Sequence, residues 1–171
     1  MKNQSLKINL EGVADALHEK DIRIRFIGSR EPFSASLCEQ IAEAESKTRD
    51  NQLMTVNVAL NYGGHWDIAN AVRALANRVH AGEIHPDDLN EASISSELSL
   101  AGSPDPDLFI RTGGEKRISN FLLWQLAYTE LYFCDCLWPD FADEDMDRAM
   151  AEYARRQRRF GQTGEQIESP A

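Results

Sequence analysis

Asp105-Pro106-Asp107-Leu108-Phe109-Ile110-Arg111-Thr112-Gly113-Gly114-Glu115-Lys116-Arg117-Ile118-Ser119-Asn120 reads as a short strand, a glycine loop and the start of a helix. Residues 107–111 form the strand, and Ser119 is placed to cap a helix running to Gln125 or Tyr128. The same order recurs upstream. Residues 53–60 make a strand with Val56, Val58 and Leu60 on one face. It feeds the turn Asn61-Tyr62-Gly63-Gly64 and a helix marked by Ile68, Val72, Leu75 and Val79, which stops at Gly82. Ile22, Ile24 and Phe26 alternate with Arg23 and Arg25 in a strand that Gly28 ends. Residues 5–20, 34–48 and 143–160 carry helical periodicity, 131–133 is a fourth strand, and 83–104 is polar with short helical turns. Strands alternating with helices predict an α/β fold with a mostly parallel sheet flanked by helices.

The bulk properties narrow the chemistry. A net charge of -10 over 171 residues argues against a nucleic-acid partner, which needs a broad basic face. It leaves room for a small anion held by a few arginines. No run reaches the ~18 apolar residues that span a bilayer, and Met1 leads into polar sequence, so a cytoplasmic protein is expected. Cys134 and Cys136, two apart in an apolar stretch, would share one face of a strand. They read as buried free thiols, with a metal pair as the alternative.

The densest chemistry lies in the opening stretch. Arg111 ends a strand, where ligands of open α/β sheets collect. Gly113 and Gly114 allow close backbone approach and expose amide donors. Arg117 adds a second guanidinium, and Ser119 a hydroxyl at an expected helix N-terminus, where the dipole favours an anion. Two forked guanidiniums with hydroxyl and amide donors suit a diphosphate better than a lone carboxylate. The competing reading is a surface loop with salt-bridged arginines. Glu130 stands between an apolar helix and an apolar strand. There it reads either as a hard-oxygen ligand for Mg2+ beside the diphosphate or as a buried carboxylate paired with an arginine. Asn61, Gly63 and Gly64 can be presented at the same sheet edge, whereas His65 without a visible partner is given no acid–base role. The acidic run 143–147 reads as a solvated helix start rather than a metal site, and the basic run 155–159 suits the helix's other end.

Several segments together resemble the cis-prenyltransferase family, specifically the bacterial undecaprenyl diphosphate synthases. They are Ile22-Arg23-Ile24-Arg25-Phe26-Ile27-Gly28, Asn61-Tyr62-Gly63-Gly64, Arg111-Thr112-Gly113-Gly114-Glu115, Ser119-Asn120-Phe121-Leu122-Leu123-Trp124-Gln125, Glu130-Leu131-Tyr132-Phe133 and Leu137-Trp138-Pro139-Asp140-Phe141. The resemblance implies that Arg111, Arg117 and Ser119 bind the diphosphate of isopentenyl diphosphate and that Glu130 helps hold Mg2+. It implies a homodimer through the 119–133 region. The reaction it implies is head-to-tail condensation of isopentenyl diphosphate onto an allylic diphosphate such as farnesyl diphosphate, each new double bond being cis. An apolar tunnel would shelter the growing chain, with Ile22, Ile24 and Phe26 as lining or core residues. The lipid product would bring the protein into peripheral contact with a membrane. The basic run 155–159 would reach a neighbouring subunit's diphosphate site.

The sequence also departs from the family. His65 stands where the turn usually has arginine, and Ser29 where an aspartate usually follows Gly28. The family's opening Met-Asp-Gly-Asn-Gly-Arg-Trp-Ala and its Phe-Ser-x-Glu-Asn-Trp segment do not occur. No catalytic aspartate is therefore assigned. Residues 1–161 are expected to be a partial cis-prenyltransferase domain lacking the N-terminal strands, with 162–171 a polar tail. A truncated enzyme inactive alone is the first expectation. The alternatives are a noncatalytic accessory subunit and a diphosphate-binding dimerisation module. Retention of Arg111, Arg117, Ser119 and Glu130 favours descent from a working enzyme.

Overall fold

A computed structural model describes residues 10–155, and these divide after Ser103 into two compact units. The first unit contains α1 (Leu10–His18), β1 (Ile22–Ile27), α2 (Ala35–Thr48), β2 (Met54–Ala59), α3 (Gly64–His80) and α4 (Glu91–Glu97). The second contains β3 (Leu108–Arg111), β4 (Glu130–Phe133) and α5 (Asp143–Arg155). The expected helical residues 5–9 and 156–160, the basic residues beyond Arg155 and the tail 162–171 lie outside the described residues.

Each unit has its own pair of parallel strands: β1 with β2, in the register Ile22↔Met54 to Ile27↔Ala59, and β3 with β4, from Leu108↔Glu130 to Arg111↔Phe133. The predicted parallel α/β pattern is thus present. In the first unit Ala14 of α1, Ile24 of β1 and Ala44 of α2 form a buried cluster, with Leu17, Phe26 and Val58 packed against it. Small residues at 14 and 44 let both helices lie close to the strand. Ile24 is thereby a core residue. Ser34 caps α2 through a 3.3 Å bond from the Leu37 amide. Thr48, fully buried, closes the helix's other end against β1 by accepting from the Ile24 amide at 3.1 Å.

The buried face of α3 differs from the one its apolar periodicity suggests. Gly64, Asp67, Ala71 and Leu75 face inward, whereas Val72 is 51% exposed. The helix is rotated because Asp67, although ionisable, is drawn in by three hydrogen bonds. Tyr62 donates to it at 2.9 Å, the Ser99 amide at 3.0 Å and the Ser99 hydroxyl at 2.6 Å. A fully bonded carboxylate can be buried where a bare one cannot. Burial first, and then the bond to Asp67, hold the Tyr62 phenol well above its ordinary range.

Ser119 does not begin a helix. Between Arg111 and β4 the chain makes turns and one 3-10 turn, Gln125–Tyr128. Ser119, Asn120 and Leu122 have φ of +48°, +63° and +44°, a left-handed run that no α-helix accommodates. The acidic run does begin a helix. Asp145 accepts from the Ala142 amide at 2.9 Å and pairs with Arg148, and these bonds, the amide first, hold its carboxyl below the usual carboxylate range.

Candidate functional site

The second unit gathers the predicted anion-binding side chains at one strand end. β3 is short and parallel, so Arg111, its last residue, projects from the carboxyl edge. The chain then turns through Gly113 and Gly114, at φ of +85° and +74°, which a residue with a Cβ adopts only under strain. Gly114 also faces Asp135, whose carboxylate oxygen would lie 3.3 Å from an added Cβ. After this turn the backbone doubles back and places Arg117 and Ser119 beside Arg111.

The contacts are specific. Arg111 donates from Nη1 to the Ser119 hydroxyl oxygen at 2.9 Å and also to the Arg117 carbonyl. Arg117 donates from Nε to the same Ser119 oxygen at 3.1 Å, while its Nη1 pairs with Glu115. Two guanidiniums therefore converge on one hydroxyl. Lys116 adds a third cation to a loop whose only carboxylate is Glu115. The arginine–glutamate pair is the competing sequence reading, present alongside the cluster. Its partners are 61% and 51% exposed, so it is worth at most about 1 kcal/mol and yields to a multiply charged anion. Glu115 had no role in the sequence reading, although its position two residues before Arg117 in a glycine turn was the available signal.

The glycine amides do not serve as expected. Gly113 N–H donates to the Cys136 carbonyl at 2.8 Å and Gly114 N–H to the Cys134 carbonyl at 3.0 Å. Cys134 N–H in turn donates to the Arg111 carbonyl at 3.0 Å. These bonds extend the β3–β4 pairing past the strand ends and occupy both amides, so the glycines shape the loop rather than bind through their N–H groups. Nor does a helix dipole reach Ser119, whose contribution is its hydroxyl alone.

Glu130 is not beside this cluster. It opens β4 opposite Leu108, half-buried, with its amide bonded to the Asp107 carbonyl at 3.1 Å. Arg111 pairs with Phe133 at the other end of the ladder. Three residues of parallel strand separate the two positions by about 10 Å. The cause is register: the turn after Tyr128 delivers Glu130 to the amino edge of the sheet, where Thr129 anchors it by donating to the Pro106 carbonyl at 2.7 Å. Among the described residues no three histidine, cysteine, aspartate or glutamate side chains gather as a metal site.

Asn61 belongs to the first unit, where β1 and β2 end together. Its Nδ2 donates to the Ser29 carbonyl at 3.2 Å and its carbonyl accepts from Ser29 N–H at 3.3 Å. Gly28, at φ +110°, passes so close to β2 that a Cβ would fall 2.0 Å from the Leu60 carbonyl oxygen. Asn61 therefore clasps the two strand exits together. His65 is exposed in the first turn of α3, and Trp66 meets Tyr62 edge-on at 6.3 Å.

Comparison with known proteins finds relatives by sequence and by fold. Residues 3–161 match the model of the prenyltransferase family described as undecaprenyl diphosphate synthase. The farnesyl-diphosphate-specific ditrans,polycis-undecaprenyl-diphosphate synthase of Legionella pneumophila strain Paris is 52% identical over 86% of the chain and 62% of the relative. That of Pseudomonas syringae pv. tomato is 51% identical over 91% of the chain and 62% of the relative. The chain thus spans about three fifths of the length of these curated relatives. Among solved structures, lavandulyl diphosphate synthase from Lavandula x intermedia, in complex with dimethylallyl diphosphate, superposes with a TM-score of 0.85 at 39% identity. It is matched over 90% of this chain and 66% of that one. A probable undecaprenyl diphosphate synthase from Campylobacter jejuni gives 0.75 at 32% identity, over 90% and 69%. A strand-end arginine, a doubled glycine turn and a serine fixed by two guanidiniums thus stand within a sequence and a fold shared with these synthases, and the chain belongs to the undecaprenyl diphosphate synthase family.

Proposed function

We propose that this chain carries the isopentenyl diphosphate side of a cis-prenyl chain-elongation site. The observation that carries the reading is the convergence of Arg111 and Arg117 on Ser119. Guanidinium forks present paired N–H donors to phosphate oxygens, and the hydroxyl adds a further donor. In the proposed reaction the allylic carbon–oxygen bond breaks and its diphosphate departs. The terminal alkene carbon of isopentenyl diphosphate forms the new carbon–carbon bond, and a proton is lost from the condensing unit. The chain's own residues would act by holding one diphosphate still while charge develops on the other. Asn61 would contribute by fixing the strand exits of the first unit, and the two glycines by shaping the loop.

Mg2+ is the proposed cofactor, with Glu130 as its protein carboxylate; when bound it would neutralise diphosphate charge. The described geometry does not fit an ion shared by Glu130 and the arginine cluster of one copy, because the strand separates them. The same reading includes a homodimer through the 119–133 region, where Tyr128 is 85% exposed. No helix among the described residues is long and apolar enough to cross a membrane.

Titration calorimetry of the chain with isopentenyl diphosphate tests the reading. Arg111→Ala is expected to weaken binding by about 1–3 kcal/mol, the loss of a charge-assisted contact. Unchanged affinity would remove the assignment.

A further inference from the structure

We propose that Cys134 and Cys136 form a thiol–disulfide couple, a reversible oxidation site on the segment that braces the Arg111–Gly114 turn. This inference does not rest on the prenyl-transfer reading. The two thiols lie just past β4, where the chain bends at Asp135 and Cys136, and not on the strand face expected from their spacing. Their sulfurs are 2.8 Å apart and unbonded, against the ~2.05 Å of a disulfide. Three backbone bonds keep them there: Cys134 N–H to Arg111, and Gly113 and Gly114 N–H to the two cysteine carbonyls. Both are half-buried, hence reachable by a small oxidant, while Cys38 sits in the other unit on α2. The sulfurs are thus held in reacting position by a backbone fixed independently of them, which favours intramolecular closure over two separate adducts.

The oxidant class is a low-molecular-weight disulfide such as oxidised glutathione. The Cys136 thiol is pushed up to about 11, chiefly by its hydrogen bond with Cys134, and so keeps its proton at neutral pH. Cys134 attacks the glutathione disulfide as the thiolate that every thiol–disulfide exchange requires. It displaces one glutathione thiolate and forms a mixed disulfide. Cys136, losing its proton as it attacks, breaks that mixed bond and releases the second glutathione. The two cysteines lose two electrons and two protons, and the glutathione disulfide gains them as two thiols.

The test equilibrates the full chain with a series of reduced-to-oxidised glutathione ratios, traps free thiols with iodoacetamide and analyses tryptic peptides by mass spectrometry. No Lys or Arg lies between Arg117 and Arg148, so one peptide reports both thiols. The expected result is a single transition from the doubly alkylated peptide to an unalkylated one lighter by two hydrogens. It should be independent of protein concentration and reversed by dithiothreitol. Cys136→Ser should abolish it, leaving at most a glutathione adduct on Cys134. Full alkylation at the oxidising end, separate adducts on both cysteines, or a disulfide-linked dimer would each overturn the proposal.

Discussion

Replacing Ser119 by glycine and by alanine separates two roles that coincide at this residue. Ser119 has φ +48°, and a left-handed conformation costs a residue with a Cβ about 1–2 kcal/mol. Glycine escapes that cost but gives up about 0.5–1 kcal/mol through its freer unfolded chain. Both variants lose the hydroxyl and its contacts with Arg111 and Arg117, so that loss cancels between them. Ser119→Gly should therefore be more stable than Ser119→Ala by about 0.5–1 kcal/mol, a difference of about 1–4 °C in midpoint for a chain of this size. Circular dichroism melts of the purified variants measure it directly. Binding should behave differently. Each variant lacks the same donor to a charged acceptor, worth about 1.5–3 kcal/mol, so each should bind isopentenyl diphosphate at least about tenfold more weakly. Alanine matching glycine in stability would refute the strain argument. Wild-type affinity in either variant would refute a recognition role for the hydroxyl.

Asp67→Ala leaves the Tyr62 hydroxyl and both Ser99 donors without their buried acceptor, and should destabilise the chain by about 3–5 kcal/mol in urea titrations. Asp67→Asn keeps an acceptor and should cost much less. Gly28→Ala drives a methyl into the Leu60 carbonyl at a left-handed φ, so a loss of at least about 3 kcal/mol, or an insoluble protein on expression, is expected. Asp145 has a depressed carboxyl pKa, so its contribution to stability is complete above the unfolded value of about 3.9 and disappears as pH falls through the lower folded value. Asp145→Asn should accordingly flatten the acid limb of a stability–pH profile measured by denaturant midpoints.

The fold was legible where local pattern and burial agree. The alternation of Ile22, Ile24 and Phe26 marked β1, and the helical periodicity of residues 34–48 marked α2. It was illegible where a tertiary contact overrides the period. The inward face of α3 follows Asp67, whose burial depends on Ser99, 32 residues away, and no local window contains that partner. Arg111, Arg117 and Ser119 were legible as a cluster because they are close in sequence. Their mode of assembly was not. The helix expected at Ser119 is replaced by left-handed turns, and the amides of Gly113 and Gly114 are taken by carbonyls from beyond β4. The neighbours of Glu130 record its apolar surroundings but not the pairing register that sets it at the other end of the ladder from Arg111.

The Ser119 oxygen has a further consequence. A hydroxyl has two lone pairs, and here each faces a guanidinium N–H. Its hydrogen is then all it can offer to a newcomer. With Arg111, Arg117 and Lys116 offering hydrogens as well, and Glu115 turned toward Arg117, the loop speaks with one polarity. A group that only accepts hydrogen bonds, as a fully ionised diphosphate does, is complementary to the donors of Arg111, Arg117 and Ser119. An ammonium group, which only donates, would meet hydrogen against hydrogen, so these donors sort ligands by the sense of their hydrogen bonds as well as by their charge.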